Sequence, residues 1–492
     1  MSGRNSVTVS AAMTGAALAS VALGSAVQVA LYLHHFGVSH RTDGFIAAFA
    51  VYTLVVVVAQ ILRTTAVPLL SGASPRLDGA AFAWAIVAIA VITVVAGVAL
   101  AEPLASVVAA STGPAGRAVA ADSLTVMAPA AGLQLLAAGL AVRGALSGRL
   151  VAVGLAYMTS AAAGLIAFVP LEGAAAERTL AWTTLVASTV AVGAMLVGVG
   201  VPSVSRRRTQ SVAGAALMVL RSLPLPASFV VMYPISLALL PTAPAGDVTL
   251  FGLAFTACSY LAGFTGQGLS MVDAVELARL SASHVAQRMG LVSRAFRYSL
   301  LAAAPGFAVA ALVGGPIVHA LISNRSAHVS FARELLLLAP WMVATLGLWA
   351  TLPAVLTQLM PTGERRLAAG VLGLIAIHVV ATLVGRAIDG FDGVVVAMAV
   401  APAVFTVVAV RSAIRGVGAA LARSAMIVVG IAAVSFGVPY LGFSAVLSGR
   451  LAIGFASAAA GVLAYAGLAA LAFPEAAKTV AALLPYRRAR MG

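Results

Sequence analysis

Fourteen apolar stretches, each long enough to cross a bilayer, take up most of this chain. They lie near 9–33, 44–62, 81–101, 123–142, 150–171, 179–201, 223–241, 248–270, 298–322, 335–359, 367–385, 393–410, 424–447 and 451–473. A hydrocarbon core is crossed by about 20 mostly apolar residues in a helix. Within it, backbone N–H and C=O groups must find partners inside the protein, so only helices and closed barrels span. These runs are continuous and lack strict alternation, which selects helices over a barrel. The expectation is an all-α polytopic membrane protein. With 62% hydrophobic and 9% charged residues and a mean hydropathy of +1.08, a water-soluble core does not account for the composition.

The formal net charge of +15 raises nucleic acid as a partner, but the placement of the charge excludes it. Counted from a cytoplasmic N-terminus, 22 of the 29 basic residues fall on inner loops and seven on outer ones. Nine of the 14 acidic residues fall outside. This is the positive-inside pattern of a cytoplasmic-membrane protein. Both termini are therefore expected in the cytoplasm, with membrane lipids and not nucleic acid as surroundings. The first apolar stretch is longer than the core of a signal peptide and is read as a retained span. The single cysteine, Cys258 in the eighth span, permits no internal disulfide and no cysteine-based metal site.

Weak internal similarity organises the chain. Asp43-Gly44-Phe45 opens span two and Asp247-Val248-Thr249-Leu250-Phe251 opens span eight. Phe45 and Phe49 then superpose on Phe251 and Phe255 with a shift of 206 residues. A parallel six-plus-six repeat fits, as in many transporters whose site lies at the midplane between repeats. The expected organisation is an N-lobe over 1–202, a cytoplasmic amphipathic linker over 203–222, a C-lobe over 223–423, and two further spans with a basic tail over 424–492. The inner segment 271–297 is expected to include a helix on the inner membrane face.

The absences exclude several function classes. The only lysine is Lys478, preceded by two alanines, so no phosphate-binding G-x-x-x-x-G-K-[ST] loop exists. No zinc-ligand spacing occurs, and no catalytic carboxylate pair stands in a large outer loop. The chain is expected to be no enzyme and to need no cofactor. His34, His35, His40 and Asp43 share the first outer loop, where interfacial histidines are a better reading than a metal site.

A few polar residues interrupt the spans. His378 sits mid-span in span eleven. It is either a proton- or ligand-binding group or a neutral histidine bonded to a neighbouring helix. Gln28, Gln60, Gln134 and Gln267 are costly toward lipid and should face the bundle interior, as contacts between helices or with a ligand. Arg63 and Arg221 stand at the inner ends of spans two and seven. They either receive an anionic headgroup or snorkel to lipid phosphates. Gly263, Gly266 and Gly268 loosen span eight around Gln267. Asp43, with Arg41 close by, is either a helix cap or an outer-gate contact.

The segment 35–70, HFGVSHRTDGFIAAFAVYTLVVVVAQILRTTAVPLL, resembles the opening of the MviN/MurJ-like lipid flippases of the multidrug/oligosaccharidyl-lipid/polysaccharide (MOP) exporter superfamily. Phe36-Gly37, Thr42-Asp43-Gly44-Phe45, Phe49 and Val67-Pro68-Leu69-Leu70 carry the match. The resemblance implies a V-shaped bundle that moves a polyprenyl-diphosphate-linked sugar outward through a central cavity. Asp43 carries over directly, but the family's cavity arginines do not. Their places fall at about Gln28-Val29, among Val56 and Val57, and at about Phe255-Thr256. Arginine pairs well with phosphate oxygens, so their loss implies either a less anionic cargo or a divergent paralogue.

The expected function is a secondary flippase working by alternating access on a lipid-linked glycan or similar amphipathic cargo. Gln28, Arg63, Arg221, Gln267 and His378 are the expected substrate contacts, and Arg41 and Asp43 the expected gate or cap. Envelope-biosynthesis proteins are the expected partners. Two rival readings stay open. One is a cation-coupled exporter of small organic molecules on the same fold, and the other a non-transporting scaffold of an envelope assembly complex.

Overall fold

The computed structural model describes residues 24, 27–70, 77–200, 210–222, 224–267, 277, 280, 284–321, 330–359, 364–412 and 416–475. All regular structure among the described residues is helical. Nine helices there are long and apolar enough to cross a membrane, or ten if one bent pair counts as a single span. Shorter apolar helices occupy several of the remaining expected spans. The first expected span, 9–33, lies mostly outside the described residues, as does most of 271–283. The protein is a multi-pass membrane helix bundle.

The chain divides into two compact units. Unit 1 comprises Met1–Gly252, Leu321–Val329 and Glu364–Met398, and unit 2 comprises Leu253–Ala320, Ser330–Gly363 and Ala399–Gly492. Unit 1 contains α1 (27–36), α2 (His40–Leu70), α3 (Gly79–Ala99), α4 (Ala101–Val108), α5 (Gly113–Leu146), α6 (Leu150–Ala175), α7 (Thr179–Val199), α8 (Val212–Ser222) and α9 (Pro224–Leu239). The first turns of α10 (Asp247–Ala262) also belong to it.

Unit 1 packs through small residues, as helices do when lipid removes the hydrophobic drive between them. α2 and α5 cross at Gly44 and Gly116, where a Cβ on Gly44 would run into the Gly116 backbone. α3 meets α5 where a Cβ on Gly132 would lie 3.1 Å from the Ala90 carbonyl oxygen. Ala137, Ala141, Val153, Ala156, Ala191 and Met195 form a core shared by α5, α6 and α7. Gln134 of α5 donates from Nε2 to Ser188 Oγ of α7 at 3.0 Å, so this glutamine joins two helices. The outward faces are apolar: Ile92 is 66% exposed and Val197 89%. Such exposure suits lipid and would favour aggregation in water.

Unit 2 begins at Leu253 within α10 and includes the π-helical turn Gly263–Gln267. That turn is the local departure that Gly263 and Gly266 permit in span eight. The unit holds α11 (Val285–Val309), a second π turn (Ala310–Gly314), α12 (Gly315–Leu321), α13 (Phe331–Leu337) and α14 (Ala339–Leu359), with the final residue of α12 falling to unit 1. α15 (Glu364–Ala397) belongs to unit 1, and α16 (Val400–Ser412), α17 (Val417–Val446) and α18 (Arg450–Ala472) to unit 2. Buried Tyr465 of α18 donates to the Leu301 carbonyl at 3.0 Å, fixing the last helix to α11. Cys258 is buried. α15 is interrupted at Asp389 and Gly390, where Gly390 takes φ 54°. Gly385 and Gly393 on either side approach so closely that neither admits a Cβ.

Candidate functional site

The first turns of α2 and α10 meet within unit 1. α2 begins with a reciprocal cap: the Ser39 N–H donates to Thr42 Oγ1 at 2.8 Å, and the Thr42 N–H to Ser39 Oγ at 3.2 Å. With those amides satisfied locally, the Asp43 carboxylate turns elsewhere. It accepts from the Gly246 N–H at 2.8 Å, the Thr249 N–H at 2.9 Å and the Thr249 hydroxyl at 2.6 Å. Asp43 therefore does cap a helix N-terminus, but that of α10 and not of its own helix. Its negative charge also meets the positive end of the α10 dipole. The side chain is 1% exposed. His40 Nδ1 stands 4.0 Å from Oδ2.

The pairing respects the sequence repeat, because Asp43 and Thr249 differ by the same 206 residues as Phe45 and Phe251. Ile46 and Gly252 differ by 206 as well, and a Cβ on Gly252 would clash with Ile46 Cγ2. Aromatic packing follows the repeat in kind: Phe45 stands 5.1 Å from Tyr32 of the preceding helix, and Phe251 5.4 Å from Tyr233 of the helix before it.

Arg41 is near Asp43 in sequence but pairs with Glu177, Nη1 to Oε1 at 2.9 Å. Glu177 lies in the turn between α6 and α7, and its carbonyl accepts from Tyr32 Oη at 3.0 Å. Partial burial pushes the Glu177 carboxyl up, but the Arg41 hydrogen bond, its own backbone amide and the nearby guanidinium charges outweigh this. The net result is a carboxyl held below its usual range. Arg178 and Asp122 stand 3.6 Å apart beside them, and the four charged residues ring one shallow cavity.

The second polar feature is His378 of α15, buried with 0% exposure. Its Nε2 lies 2.9 Å from the Met232 carbonyl oxygen and 3.1 Å from Ser236 Oγ, both on α9. A carbonyl only accepts, so Nε2 carries the proton and donates. Two turns further along α15, Arg386 Nη1 donates to the Leu239 carbonyl at 3.0 Å. α15 thus holds the C-terminal half of α9 at two points.

Of the remaining expected contacts, the two whose side chains are described are not gathered at either feature. Gln28 is half-buried, its amide nitrogen against Gly164 of α6. Arg221 is exposed in the last turn of α8. The side chains of Arg63, Gln60 and Gln267 lie outside the described residues. Among the described residues no three His, Cys, Asp or Glu side chains cluster as metal ligands. Sequence reasoning missed Thr249 and Gly246. The signal was present, because Thr249 stands at the repeat position of Asp43.

No family model matches the chain, and no curated protein does. Solved structures do. The lipid II flippase MurJ, in an inward closed conformation, is similar over 95% of this chain and 99% of its own, with a TM-score of 0.69 and 11% identity. An inward-facing multidrug resistance MATE family transporter of the MOP superfamily covers 82% of this chain and 95% of its own, with a TM-score of 0.57 and 13% identity. A MOP superfamily transporter from Pyrococcus furiosus, described as having a binding pocket of reverse polarity, gives 0.54 over 84% of this chain and 96% of its own, at 11% identity. The chain has the fold of the MurJ flippase and of the MATE transporters of the MOP superfamily.

Proposed function

We propose that this protein is a secondary transporter of the cytoplasmic membrane that moves an amphipathic, lipid-linked glycan or a cargo of similar build by alternating access. The proposed organisation is two six-span lobes, 1–202 and 223–423, with both termini in the cytoplasm. The observation that carries the reading is the Asp43 clasp. It joins the outer ends of two repeat-related helices through one carboxylate and three donors, on a fold that the MurJ flippase and MATE transporters share. Such a clasp can open as a unit, because water replaces all three hydrogen bonds at once. In this reading Asp43 is the outer gate, and Arg41 holds the first turn of α2 against the α6–α7 turn.

Arg63 and Arg221 are proposed to meet an anionic headgroup at the inner leaflet, with Gln28 and Gln267 as neutral contacts further in and His378 near them. Neutral donors hold a diphosphate more weakly than arginines do. The absence of arginine at Gln28-Val29, Val56, Val57 and Phe255-Thr256 is the specific feature that favours the second reading, export of small and less anionic organic molecules. Reconstitution into liposomes with fluorescent polyprenyl-diphosphate sugars, neutral glycolipids and small organic cations separates the two. Movement of the diphosphate sugars supports the first, and movement of the small cations alone supports the second. An Arg63→Gln/Arg221→Gln double variant that inserts normally is expected to lose movement of the anionic cargo.

A further inference from the structure

Two buried polar atoms of α15 go unused by the helix contacts that surround them. α15 presents Leu374, His378 and Thr382, four residues apart, as one buried stripe, while Leu372, Val380 and Leu383 are exposed. Nε2 of His378 already ties α15 to α9. Nδ1 of His378 and Oγ1 of Thr382, one turn away, are buried and have no hydrogen-bond partner among the described residues. Leaving such an atom buried and unpaired is unfavourable. Adhesion between the two helices needs neither, since Nε2 alone supplies it. An orphaned buried pair of this kind points to a function, an ion or a water.

The chemistry of the pair narrows the choice. Nδ1 offers one lone pair and the hydroxyl one oxygen. Metal cations need more ligands than this, and usually carboxylates or thiolates. A proton needs only the lone pair. The titratable and charged groups on the packed elements stand apart from the ring. α9 contributes only Tyr233, whose hydroxyl is directed at Gly252, 2.9 Å from where a Cβ would be. Phe251 of α10 touches Phe391 of α15, and the acidic residue of that turn is Asp247. On α15 itself Arg386, Asp389 and Asp392 follow His378 by two or more turns. No carboxylate hydrogen-bonds the imidazole among the described residues.

We propose that His378 Nδ1, with Thr382 Oγ1 beside it, is the proton-loading site that couples transport to a proton gradient and releases the Asp43 clasp. The proposal rests on the transport reading for its purpose, but not for its test. Loading takes a proton from hydronium: its O–H bond breaks to leave water, one N–H bond forms at Nδ1, and no bond within the protein breaks. The Nε2–H to Met232 hydrogen bond persists. Among the described residues the new charge has no counter-ion in the closed seam, so it favours a state in which water reaches the ring between α9 and α15. α9 runs directly into the segment that ends at Gly246, whose N–H Asp43 holds. Parting α9 from α15 therefore pulls on the clasp, and unloading the proton lets it close.

A cargo-free measurement tests this. Val248, buried beside the clasp, is replaced by cysteine in a Cys258→Ala background. Thiol labelling in liposomes is followed at about pH 5.5 and about pH 8, either side of the ordinary histidine range. Each rate is normalised to the same thiol in unfolded protein. The parent is expected to label about tenfold faster in acid, the factor that one unit of proton linkage supplies. His378→Gln keeps an amide N–H for Met232 but cannot titrate, and its normalised rates should be equal at the two pH values. Ser236→Ala and His40→Gln both keep the His378 imidazole and should retain the acid response. If His378→Gln does not fold, Thr382→Val replaces it and should reduce the response. A parent without acid response, or a full response in His378→Gln or in its Thr382→Val substitute, overturns the proposal. Cargo takes no part, so a failure of transport alone leaves this result standing.

Discussion

Asp43 and Thr249, 206 residues apart, meet through two hydrogen bonds to one oxygen: the Thr249 N–H at 2.9 Å and its hydroxyl at 2.6 Å, both to Oδ1 of Asp43. A third, from Gly246, reaches Oδ2. Asp43→Ala removes both acceptor oxygens and leaves three buried donors unpaired. The expected cost is about 2–4 kcal/mol, read as a lower thermal midpoint in detergent. Thr249→Val keeps the amide bond and loses only the hydroxyl, so about 1–2 kcal/mol is expected. Equal midpoints for all three proteins would remove the clasp as a stabilising contact.

The close crossings at Gly44 and Gly252 should respond differently to alanine. At Gly44 the obstruction is the backbone of Gly116, which cannot move aside. Gly44→Ala is expected to destabilise by more than about 3 kcal/mol, or to prevent insertion, since overpacking a tight site costs about 1–3 kcal/mol where side chains can adjust. At Gly252 the obstruction is side chains, first Ile46 and then the Tyr233 hydroxyl. Gly252→Ala should cost less, and Ile46→Ala added to it should recover stability. A double variant no better than Gly252→Ala alone would contradict the crossing.

Much of this fold was legible because hydrocarbon imposes one rule on every span. The apolar runs around 150–171 and 179–201 became α6 and α7 with little adjustment. The shorter elements were not legible. α4 carries Glu102 at the end of an expected span, and span eight breaks into a π turn that composition cannot place. The site was half legible. Asp43 stood out as a carboxylate at a span end, with a cap among its expected roles. That it caps α10 depends on Ser39 and Thr42 capping α2, and such division of labour shows only when two remote turns are brought together. His378 stood out as a mid-span ionisable residue, but its partners Met232 and Ser236 have no sequence signature. Arg41 was placed beside Asp43 by proximity in the chain, and the Glu177 pairing replaced that neighbour with one 136 residues away.

The Arg41–Glu177 pair should weaken only in acid. The Glu177 carboxyl is held below its ordinary value of 4.5. Its contribution is therefore complete above that value in the folded protein and is lost as the pH falls through the lower, folded value. Arg41 is exposed and Glu177 only partly buried, so solvent screening keeps the effect small. Comparing thermal midpoints of the parent and Glu177→Gln across this range checks it: the difference should be constant near neutrality and vanish in acid. A difference that grows as the pH falls would carry the wrong sign.

The Gln134–Ser188 bond tests how α5 and α7 adhere. Polar contacts between helices in membranes average about 0.6 kcal/mol in double-mutant cycles. A Gln134→Leu/Ser188→Ala cycle is expected to give a coupling of that size. A coupling of zero would mean the two residues act independently.

The most direct measurement of the gated-transport claim locks the clasp and watches cargo. Asp43→Cys/Thr249→Cys, in a Cys258→Ala background, is reconstituted with a fluorescent polyprenyl-linked sugar. Movement is followed after oxidation and again after reduction, beside each single-cysteine control. The expected result is arrest on oxidation and recovery on reduction in the double variant alone. Equal movement in the oxidised and reduced double variant, with the disulfide verified by mass, would contradict an outer gate at Asp43 and Thr249.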